Sequence, residues 1–562
     1  MAIEIQTTTS RILVRNTPFH HKDLLKGLPG AAWDKERRAW TYPLSSSVLP
    51  MLMSLYPSAG LDAGAQSLLG GLERMKNALS SKASSKHLLP VVSSTLLPPW
   101  EHQLQSYHFA RHLLNLDGVP IGGGALLGLD MGTGKTKVVY DLINNYPALK
   151  TILVTCPKSV VQTWADEKQK HGIRDIRVML LGTGPVPSRT KKAKAFLRTH
   201  SESACVRMIV INHESVWREP FKSFIKERIW DLLVVDECHR AKAPGGKFSR
   251  FLSNNQGCFS TRTGLTGTPM PKDPMDIYAQ ARFLDPGIFG TSFTRFKLRY
   301  GIWGGFENRK FLGLRNAEEF QTKLDQLMIR VKSDDVMDLP PQIFERRTCS
   351  LSGPEMKAYS QMKEELIADV GSGVVTAANG LVRLLKLQQI TQGTIKDDQG
   401  KEHRIGSSKQ DLLADVLEDF DSREPVVIFC RFKDDLLRIH ETCESLGRDC
   451  LELSGSVDEL AQWKNAHAPI LAVQIQAGGV GVDFSRSCYN IFYSPTFDMG
   501  AYEQALKRTH RPGQLRTTFY YQLVAEGTID VDIYNALRTK KKVVEAALSG
   551  LTRRSTNENT DV

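Results

Sequence analysis

What the chain lacks excludes several classes of protein. No uninterrupted apolar run approaches the roughly 20 residues that a membrane-spanning helix needs. There is no Cys-x-x-Cys pair, and the nine cysteines are scattered, several of them within or beside apolar runs. Buried thiols in a reducing compartment explain such cysteines better than a disulfide framework or a zinc site. The first residues, with an early glutamate and no apolar core segment, do not have the pattern of a secretory signal.

These absences predict a globular protein that stays inside the cell and has no membrane partner. We expect a cytoplasmic location in a bacterial or phage-infected cell, or a nuclear one if the source is eukaryotic. The 73 basic residues outnumber the 61 acidic ones, and the net charge of +12 suits a polyanionic partner, although it also suits many proteins without one. With 562 residues the chain is too long for a single core, so we expect two large domains and a small one.

Short β-branched runs alternate with longer helical patterns from about residue 95 onward. Near-continuous apolar strands separated by helices are typical of parallel sheets that are covered on both faces, which predicts an α/β fold. The Pro340-Pro341 break, with no phosphate-binding pattern after it, divides the strands between two sheets. The predicted strand segments are 125–129, 151–155, 208–211, 231–235, 425–429, 470–473 and 489–493.

A glycine-rich segment follows the first of these strands and precedes a helical pattern. In such a loop the backbone N–H groups can surround phosphate oxygens, Lys135 can neutralise β and γ charge, and the Thr136 hydroxyl can bind magnesium. The strict G-x-x-x-x-G-K-[ST] pattern requires glycine at position 129, where this chain has leucine. The alternative is a chance glycine-rich turn. The candidate nucleotide-binding residues are Met131, Gly132, Thr133, Gly134, Lys135 and Thr136.

An acidic pair, Asp236 and Glu237, follows the strand that ends at Val235. Ligands bind at the carboxyl edge of open α/β sheets, so we predict Asp236 as a magnesium partner and Glu237 as the group that orients or deprotonates the attacking water. Alone, such a pair is more often a helix cap or a surface feature. Its position after a phosphate loop favours the catalytic interpretation. A zinc role for His239 is not expected, because no second cluster has ligand spacing.

Two arginines, Arg508 and Arg511, are three residues apart on a helix predicted from Tyr502, so both can face one way. They can stabilise the negative charge that spreads over the γ phosphate in the transition state. Gln504, one turn earlier, can hydrogen-bond the same phosphate or its water. The alternative for all three is the solvated face of a basic helix.

Two further polar sites are weaker when each is considered alone. The Gln103 amide can donate to and accept from an adenine edge, but it is also an ordinary polar helix residue. The glycine-rich turn 478–483 includes Gly479 and Asp483, which we predict as nucleotide-binding residues.

The ordered set of motifs resembles the Swi/Snf-like branch of superfamily-two helicases, the double-stranded DNA translocases, over about residues 95–548. The His-Arg-Pro-Gly-Gln ending of the arginine motif points to this branch rather than to the strand-separating helicases. Residues 330–336 are only a loose copy of the family's basic segment after the first domain. Further similar segments are PKSVVQTW (157–164), LTGTP (265–269), FLDPGIFG (283–290), LQQI (387–390), LSG (453–455) and TIDVDIY (528–534).

The resemblance implies two tandem RecA-like domains that bind ATP and Mg²⁺ and hold duplex DNA mainly by its phosphates. By motif, Gln103 is expected to read adenine, and Lys135, Asp236, Glu237, Gln504, Arg508 and Arg511 are expected to act in hydrolysis. A looser assignment gives the DNA backbone contacts to Lys158, Arg431 and Gln476.

The amino-terminal segment resembles the HARP domain that accompanies annealing helicases, because an amphipathic helix precedes a Trp-Asp-x-x-x-x-x-Trp hairpin. Arg37 and Arg38, beside Trp33 and Trp40, could grip the backbone and stack on exposed bases at a DNA junction. Alternatively, both tryptophans pack in a small core. The two interpretations are compatible.

We therefore expect an ATP-dependent DNA translocase that remodels branched or forked DNA. The alternatives are a motor that displaces proteins such as RNA polymerase from DNA, and a nucleotide-gated DNA-binding scaffold. We expect a monomer whose partners are duplex or forked DNA and proteins of replication, recombination or transcription. The predicted divisions are a HARP-like domain (1–60), a linker (61–94), a first RecA-like domain (95–335), an interdomain linker (336–350), a second RecA-like domain (351–548) and a polar tail (549–562).

Overall fold

The protein divides into two compact units, and the division lies between Val336 and Met337. Among the described helices, none combines the length and the apolarity that crossing a bilayer requires. The computed structural model describes residues 2–8, 11–28, 31–43, 48–70, 97–114, 116, 123–200, 205–304, 310–371, 377–396, 402–476 and 482–539.

The amino-terminal part of the first unit is a small α+β domain around a five-stranded sheet. The predicted hairpin is confirmed, with Trp33 opposite Trp40 in antiparallel register. The core of this domain includes Ala65 and Leu68, so it extends beyond the predicted limit at residue 60. In spatial order the strands are Ala32–Asp34, Ala39–Pro43, Arg11–Arg15, Glu4–Thr7 and Gly60–Leu61, and the helices are Phe19–His21, Lys22–Gly27, Val48–Leu55 and residues 63–70.

The rest of the first unit is built on a seven-stranded sheet in which all neighbouring strands are parallel. Its central strands are buried almost without interruption, as expected for a sheet with helices on both faces. In spatial order the strands are Met328–Val331, Gly123–Leu129, Phe259–Leu265, Trp230–Asp236, Thr151–Cys156, Val206–Asn212 and Ile176–Leu181.

The helices of this unit connect successive strands, and an aromatic cluster that includes Phe289, Phe296, Tyr300 and Phe320 packs beside a small hairpin. That hairpin pairs Gly301–Gly304 with Lys310–Leu314. The α-helices are Glu101–Leu113, Lys135–Asn145, Val161–His171, Val186–Thr199, His213–Val216, Phe221–Lys226, Lys247–Asn254, Ile277–Leu284, Pro286–Phe289, Phe293–Tyr300, Ala317–Asp325 and Ser333–Val336. The 3-10 helices are Lys158–Val160, Cys238–Ala241, Gln256–Cys258 and Pro274–Asp276.

The second unit contains a six-stranded sheet whose neighbouring strands are again parallel. In spatial order the strands are Gln342–Cys349, Thr518–Ala525, Tyr489–Phe492, Val426–Cys430, Ile470–Gln474 and Cys450–Leu453. A separate hairpin pairs Thr394–Lys396 with Glu402–Arg404. The helices are Gly353–Gly371, Ala377–Thr391, Ser408–Glu418, Lys433–Ser445, Leu460–Lys464, Met499–Thr509 and residues 529–539. The predicted α/β fold, with two tandem parallel-sheet domains and a small α+β domain before them, is confirmed.

One segment differs from the sequence-based expectation. Within the predicted linker 336–350, Gln342–Cys349 forms an edge strand that pairs over its whole length with Thr518–Ala525. The segment was missed because it follows Pro340-Pro341 and is mostly polar, as edge strands often are. The predicted linker 61–94 lies largely outside the described residues and the tail 549–562 entirely so. Apart from the limit at residue 60 and the strand within 336–350, the division of the chain into the six predicted segments stays a prediction.

Candidate nucleotide site and nucleic-acid interface

The phosphate-loop candidate connects the strand Gly123–Leu129 to the helix Lys135–Asn145. Gly132 and Gly134 have φ angles of 80° and 89°, the left-handed region that favours glycine. Leu129, the departure from the strict pattern, is the last residue of the strand and is fully buried opposite Val331. It therefore belongs to the sheet, and the turn itself keeps its glycines.

Side chains of the helix Glu101–Leu113 hold the loop in position through hydrogen bonds. The Thr133 carbonyl accepts hydrogen bonds from Gln103 Nε2 at 3.1 Å and from His102 Nε2 at 2.9 Å. The Thr133 hydroxyl donates to the Asp130 carbonyl at 2.7 Å. A Cβ on Gly134 would lie 2.2 Å from Gln103 Nε2, so the absence of a side chain there allows the helix to approach.

Gln103, predicted to read adenine, is buried with its amide in contact with its own chain. Its Oε1 accepts from the Trp100 backbone N–H at 3.0 Å, while its Nε2 binds the loop. The structure therefore shows a role in positioning the loop, and the adenine contact stays a prediction. His102, which shares that role, was not identified from the sequence, where its position next to Gln103 was the available signal.

Lys135 begins the helix after the loop, and its ammonium donates to the carbonyls of Leu129 at 3.0 Å and Asp130 at 3.2 Å. Thr136 follows in the same first turn and is partly exposed. Both side chains therefore lie at the amino end of a helix, where N–H groups and the helix dipole favour a bound phosphate.

Asp236 ends the strand Trp230–Asp236, at the same carboxyl edge of the sheet as the phosphate loop. Its carboxylate accepts from the Glu237 backbone N–H at 3.0 Å and from Trp164 Nε1 at 3.3 Å. Burial raises the pKa of Asp236, and the Glu237 charge raises it further, whereas the Lys135 ammonium lowers it. Lys135 and Asp236 thus lie at the same edge of the sheet, near enough for the ammonium to influence the carboxylate.

Glu237 is buried with a left-handed φ of 47°, and its Oε2 lies 3.3 Å from His239 Nδ1. His239 Nδ1 also lies 2.9 Å from the Thr266 hydroxyl, which accepts from the Thr268 backbone N–H at 3.1 Å. Thus His239 connects the acidic motif to the Leu-Thr-Gly-Thr-Pro segment. The sequence suggested no such role for it, although both motifs were visible.

The donor set fits magnesium rather than zinc. No group of three or more His, Cys, Asp or Glu side chains that could hold a metal occurs in the described part of the chain. Mg²⁺ is usually held by one or two protein oxygens together with substrate phosphates and waters. A carboxylate on Asp236 and a hydroxyl on Thr136 are donors of this kind, neither is a soft ligand, and the magnesium site stays a prediction.

In the second unit, Gln504 and Arg508 lie on the helix Met499–Thr509. The prediction that Arg511 lies on the same helix is wrong, because the helix ends at Thr509. Arg511 precedes Pro512, and a residue before proline is disfavoured in the helical region.

The two arginines nevertheless converge. Each donates through Nη1 to the Val482 carbonyl at 3.3 Å, and Arg508 is almost completely buried. Arg511 Nε lies 3.9 Å from a carboxylate oxygen of Asp483. Burial acts to raise the pKa of Asp483, but hydrogen bonds from Ser485 and the Arg511 charge outweigh it, and the pKa is lowered.

The structure thus brings Arg508, Arg511 and Asp483 together around one backbone carbonyl. Gln504, one turn before Arg508, is partly buried. Gly479 lies outside the described residues.

The predicted DNA-contacting residues lie directly after strands. Lys158 is exposed in the 3-10 helix that follows Thr151–Cys156, and Gln476 is exposed after Ile470–Gln474. Arg431 follows Val426–Cys430, and its Nη1 donates to Gln388 Oε1 at 3.0 Å. Its guanidinium lies 5.6 Å from the ring centre of Phe432 and 5.3 Å from that of Phe497. These contacts fix the orientation of the Arg431 side chain.

Two family matches cover most of this region. Residues 110–395 match the SNF2-related domain, and residues 408–513 match the helicase conserved C-terminal domain. The chain belongs to the SNF2-related family. This confirms the predicted Swi/Snf-like family. Both matched ranges lie outside residues 1–60, where the HARP-like domain stays a prediction.

Relatives of the SNF2-related chain are distant in sequence. An uncharacterized ATP-dependent helicase of Mycoplasma genitalium is 23% identical over 441 residues, which cover 76% of this chain and 40% of that protein. The DNA repair and recombination protein RDH54 of Saccharomyces cerevisiae is 25% identical over 493 residues, covering 78% of this chain and 53% of that protein. The chain thus spans about half, or less, of the length of these two proteins.

Protein p41 of Acyrthosiphon pisum secondary endosymbiont phage 1 is closer in length. It is 24% identical over 486 residues, which cover 81% of this chain and 98% of that protein. Among solved structures, the Sulfolobus solfataricus SWI2/SNF2 ATPase core in complex with double-stranded DNA is 22% identical, with a TM-score of 0.39. That comparison covers 84% of the SNF2-related chain and 97% of the solved one.

The two tryptophans of the amino-terminal hairpin of the SNF2-related chain differ in burial. One is packed in the small core, and the other is exposed, as base stacking would require. Trp40 is buried in the small core, whereas Trp33 is 49% exposed and contacts Trp40 edge to face at 5.6 Å. Arg37 and Arg38 are exposed in the turn, and Arg38 has a left-handed φ of 46°. The turn therefore presents an aromatic ring and basic groups to solvent, while its other tryptophan anchors the hairpin.

Proposed function

We propose that this SNF2-related chain is a DNA-stimulated ATPase that moves along duplex DNA and remodels branched or forked DNA. The observation that carries the proposal is the complete hydrolytic set. Lys135 and Asp236 lie at the same carboxyl edge of the first sheet, Glu237 follows Asp236, and Arg508 and Arg511 converge in the second unit. A scaffold that only binds nucleotide would not need all five groups.

Each group of the first unit has a separable task in the proposed reaction. The loop N–H groups and Lys135 hold the β and γ phosphates of ATP, and Thr136 with Asp236 would hold Mg²⁺, which would neutralise phosphate charge when bound. Glu237, held in place by its contact with His239, orients the attacking water and accepts its proton. Burial of Asp236 and Glu237 strengthens these electrostatic effects, because water screens them less.

Arg508 and Arg511 are proposed to place positive charge on the γ phosphate as its negative charge spreads in the transition state. Val482 holds both guanidinium groups by one carbonyl, so they are ordered before they act. Such preorganisation is the main way in which a protein stabilises a phosphoryl-transfer transition state. Gln504 is proposed to bind the same phosphate or its water.

Duplex DNA is the proposed track, gripped by its phosphates through Lys158, Arg431 and Gln476. The HARP-like hairpin is proposed to direct the motor to junctions, with Trp33 stacking on an exposed base. The yeast relative is a DNA repair and recombination protein, which supports a role at such branched structures. A cytoplasmic location in a bacterial or phage-infected cell is part of the proposal.

The test is steady-state ATP hydrolysis without DNA and with single-stranded, blunt duplex or forked DNA, all at one salt concentration because phosphate-dominated binding depends on salt. We expect the strongest stimulation with forked DNA. Equal stimulation by blunt duplex would remove the junction preference and leave a plain translocase. An unstimulated rate with every DNA would contradict the proposal and favour a scaffold or an RNA substrate.

A double variant and a control variant then test the role of the hairpin. Trp33→Ala combined with Arg37→Ala should reduce stimulation by forked DNA to the level seen with blunt duplex. Arg177→Ala removes one positive charge from an exposed ion pair elsewhere on the first unit and should leave the fork preference unchanged. If the hairpin variant keeps the preference, the junction role belongs to another surface.

A further inference from the structure

The phosphate loop is bonded directly to the segment through which the chain leaves the first unit. That connector comprises Val331 at the end of an edge strand, Ser333 at the start of a short helix, and Val336, after which the second unit begins. The edge strand Met328–Val331 pairs in parallel with the strand that leads into the phosphate loop. The entry to the loop and the exit from the unit therefore lie side by side.

Asp130 makes the bonds on the loop side. Its backbone N–H donates to the Val331 carbonyl at 3.0 Å, and its carboxylate accepts from the Ser333 backbone N–H at 3.2 Å and from the Ser333 hydroxyl at 3.3 Å. Both Asp130 and Ser333 are buried, so water competes little for these bonds.

The backbone carbonyl of the same residue faces the catalytic lysine. It accepts from Lys135 Nζ at 3.2 Å and from the Thr133 hydroxyl at 2.7 Å. Asp130 thus contacts Lys135 and the loop through its main chain and the connector through its side chain. A shift of the loop at Asp130 can therefore reach Ser333 directly, with no other residue between them.

We propose that Asp130 is a positioning residue that couples nucleotide binding at the phosphate loop to the connector, the segment through which the chain leaves the first unit. The inference rests on the proposed nucleotide site, but it does not require that the chain move on DNA. It gives a function to the segment 330–336, which only loosely follows the pattern of the family.

The first test is hydrogen exchange in the full-length protein, with and without a non-hydrolysable ATP analogue, read at the amides of residues 331–336. We expect the analogue to change exchange in the wild-type connector and to have no such effect in Asp130→Ala. Ser333→Ala, which keeps the backbone bond, should show a reduced response.

Asp231→Ala is the matched control, because that carboxylate accepts from two backbone N–H groups and a hydroxyl, where Asp130 accepts from one of each, but it lies at the amino end of its strand. It should keep the wild-type response. The proposal is overturned if the analogue leaves the wild-type connector unchanged, or if Asp130→Ala and Ser333→Ala both respond as the wild type does.

The second test compares motor steps with ATP consumed, using displacement of a third strand from duplex DNA. Loss of the two hydrogen bonds from Ser333 should lower displacement per ATP about tenfold in Asp130→Ala, with Asp231→Ala unchanged. If the rates of strand displacement and ATP hydrolysis fell by the same factor in Asp130→Ala, its role would be merely structural. Absence of ATPase stimulation by DNA in the wild type would contradict the proposed motor function, whereas the exchange experiment would still decide the coupling.

Discussion

At the scale of single residues, the proposed hydrolysis depends most on Glu237. We expect Glu237→Gln to lower ATP turnover at least about 100-fold, since the amide cannot accept the proton of the attacking water. DNA binding should persist because the side chain is buried away from solvent. Steady-state hydrolysis and a DNA-binding titration measure the two effects. Glu227→Gln, which loses only a surface contact with Lys194, is the control. Turnover that survives in Glu237→Gln would contradict the assignment of the base.

Gly134 offers a second residue-scale prediction. Gly134→Ala places a methyl group 2.2 Å from Gln103 Nε2 and should displace the amide that holds the Thr133 carbonyl. Gly184 has nearly the same φ, 90° against 89°, but open space around it, so Gly184→Ala carries the backbone strain alone. We expect a higher KM for ATP only in Gly134→Ala. Equal changes in both variants would show that strain, rather than the lost contact, is responsible.

The roles of residues were predictable where they follow a recognisable strand. They were not predictable where they depend on contacts between segments that are far apart in the sequence. Lys135 and Asp236 could be placed together because the carboxyl ends of parallel strands share one edge of a sheet. The contact of Gln103 with Thr133 joins residues that are 30 positions apart, and neither local pattern indicates it. The contact of His239 with Thr266 was hidden for the same reason.

At the scale of helices and strands, burial decided what could be predicted. Strands such as Val426–Cys430 are apolar throughout because both faces are covered, and the sequence shows this directly. The edge strand Gln342–Cys349 has partly exposed, mostly polar side chains, so only its partner Thr518–Ala525 defines it. The helix that carries Arg508 ends at Thr509, before Pro512, because the residue that precedes a proline is disfavoured in the helical region.

The second unit contains a fully buried ion pair that joins two of its helices. Lys409, in the helix Ser408–Glu418, donates to Asp530, which also accepts from the Ala525 backbone N–H and the Thr391 hydroxyl. Lys409→Met leaves that carboxylate buried without its cation and should lower the free energy of unfolding by about 3–5 kcal/mol. Urea denaturation measures the loss. Lys464→Met, at an exposed position, should change it by less than about 0.5 kcal/mol. A small effect in Lys409→Met would mean that the remaining bonds to Asp530 suffice.

At the scale of the whole molecule, the net charge of +12 does not by itself indicate binding to DNA. The positions of the basic side chains are more informative. Lys158 and Arg431 each follow a parallel strand, one in each unit, at the sheet edges where polar ligands bind. Arg431 is additionally fixed by Gln388 and two aromatic rings, so little conformational entropy would be lost if it bound a phosphate. The sequence revealed the charge and the strand ends, but the contacts that orient Arg431 come from segments far apart in the chain.

If both residues bind DNA phosphates, salt should reveal it. For the wild-type protein the logarithm of the DNA association constant should fall linearly with the logarithm of salt concentration, and Lys158→Ala or Arg431→Ala should each reduce the slope by about 1. Lys170→Ala removes the same charge from an exposed side chain paired with Glu167 and should leave the slope unchanged. Equal slopes for all three variants would mean that the general field of a basic protein, rather than these two positions, holds the DNA. The mechanism of movement would then have to be sought in other residues of both units.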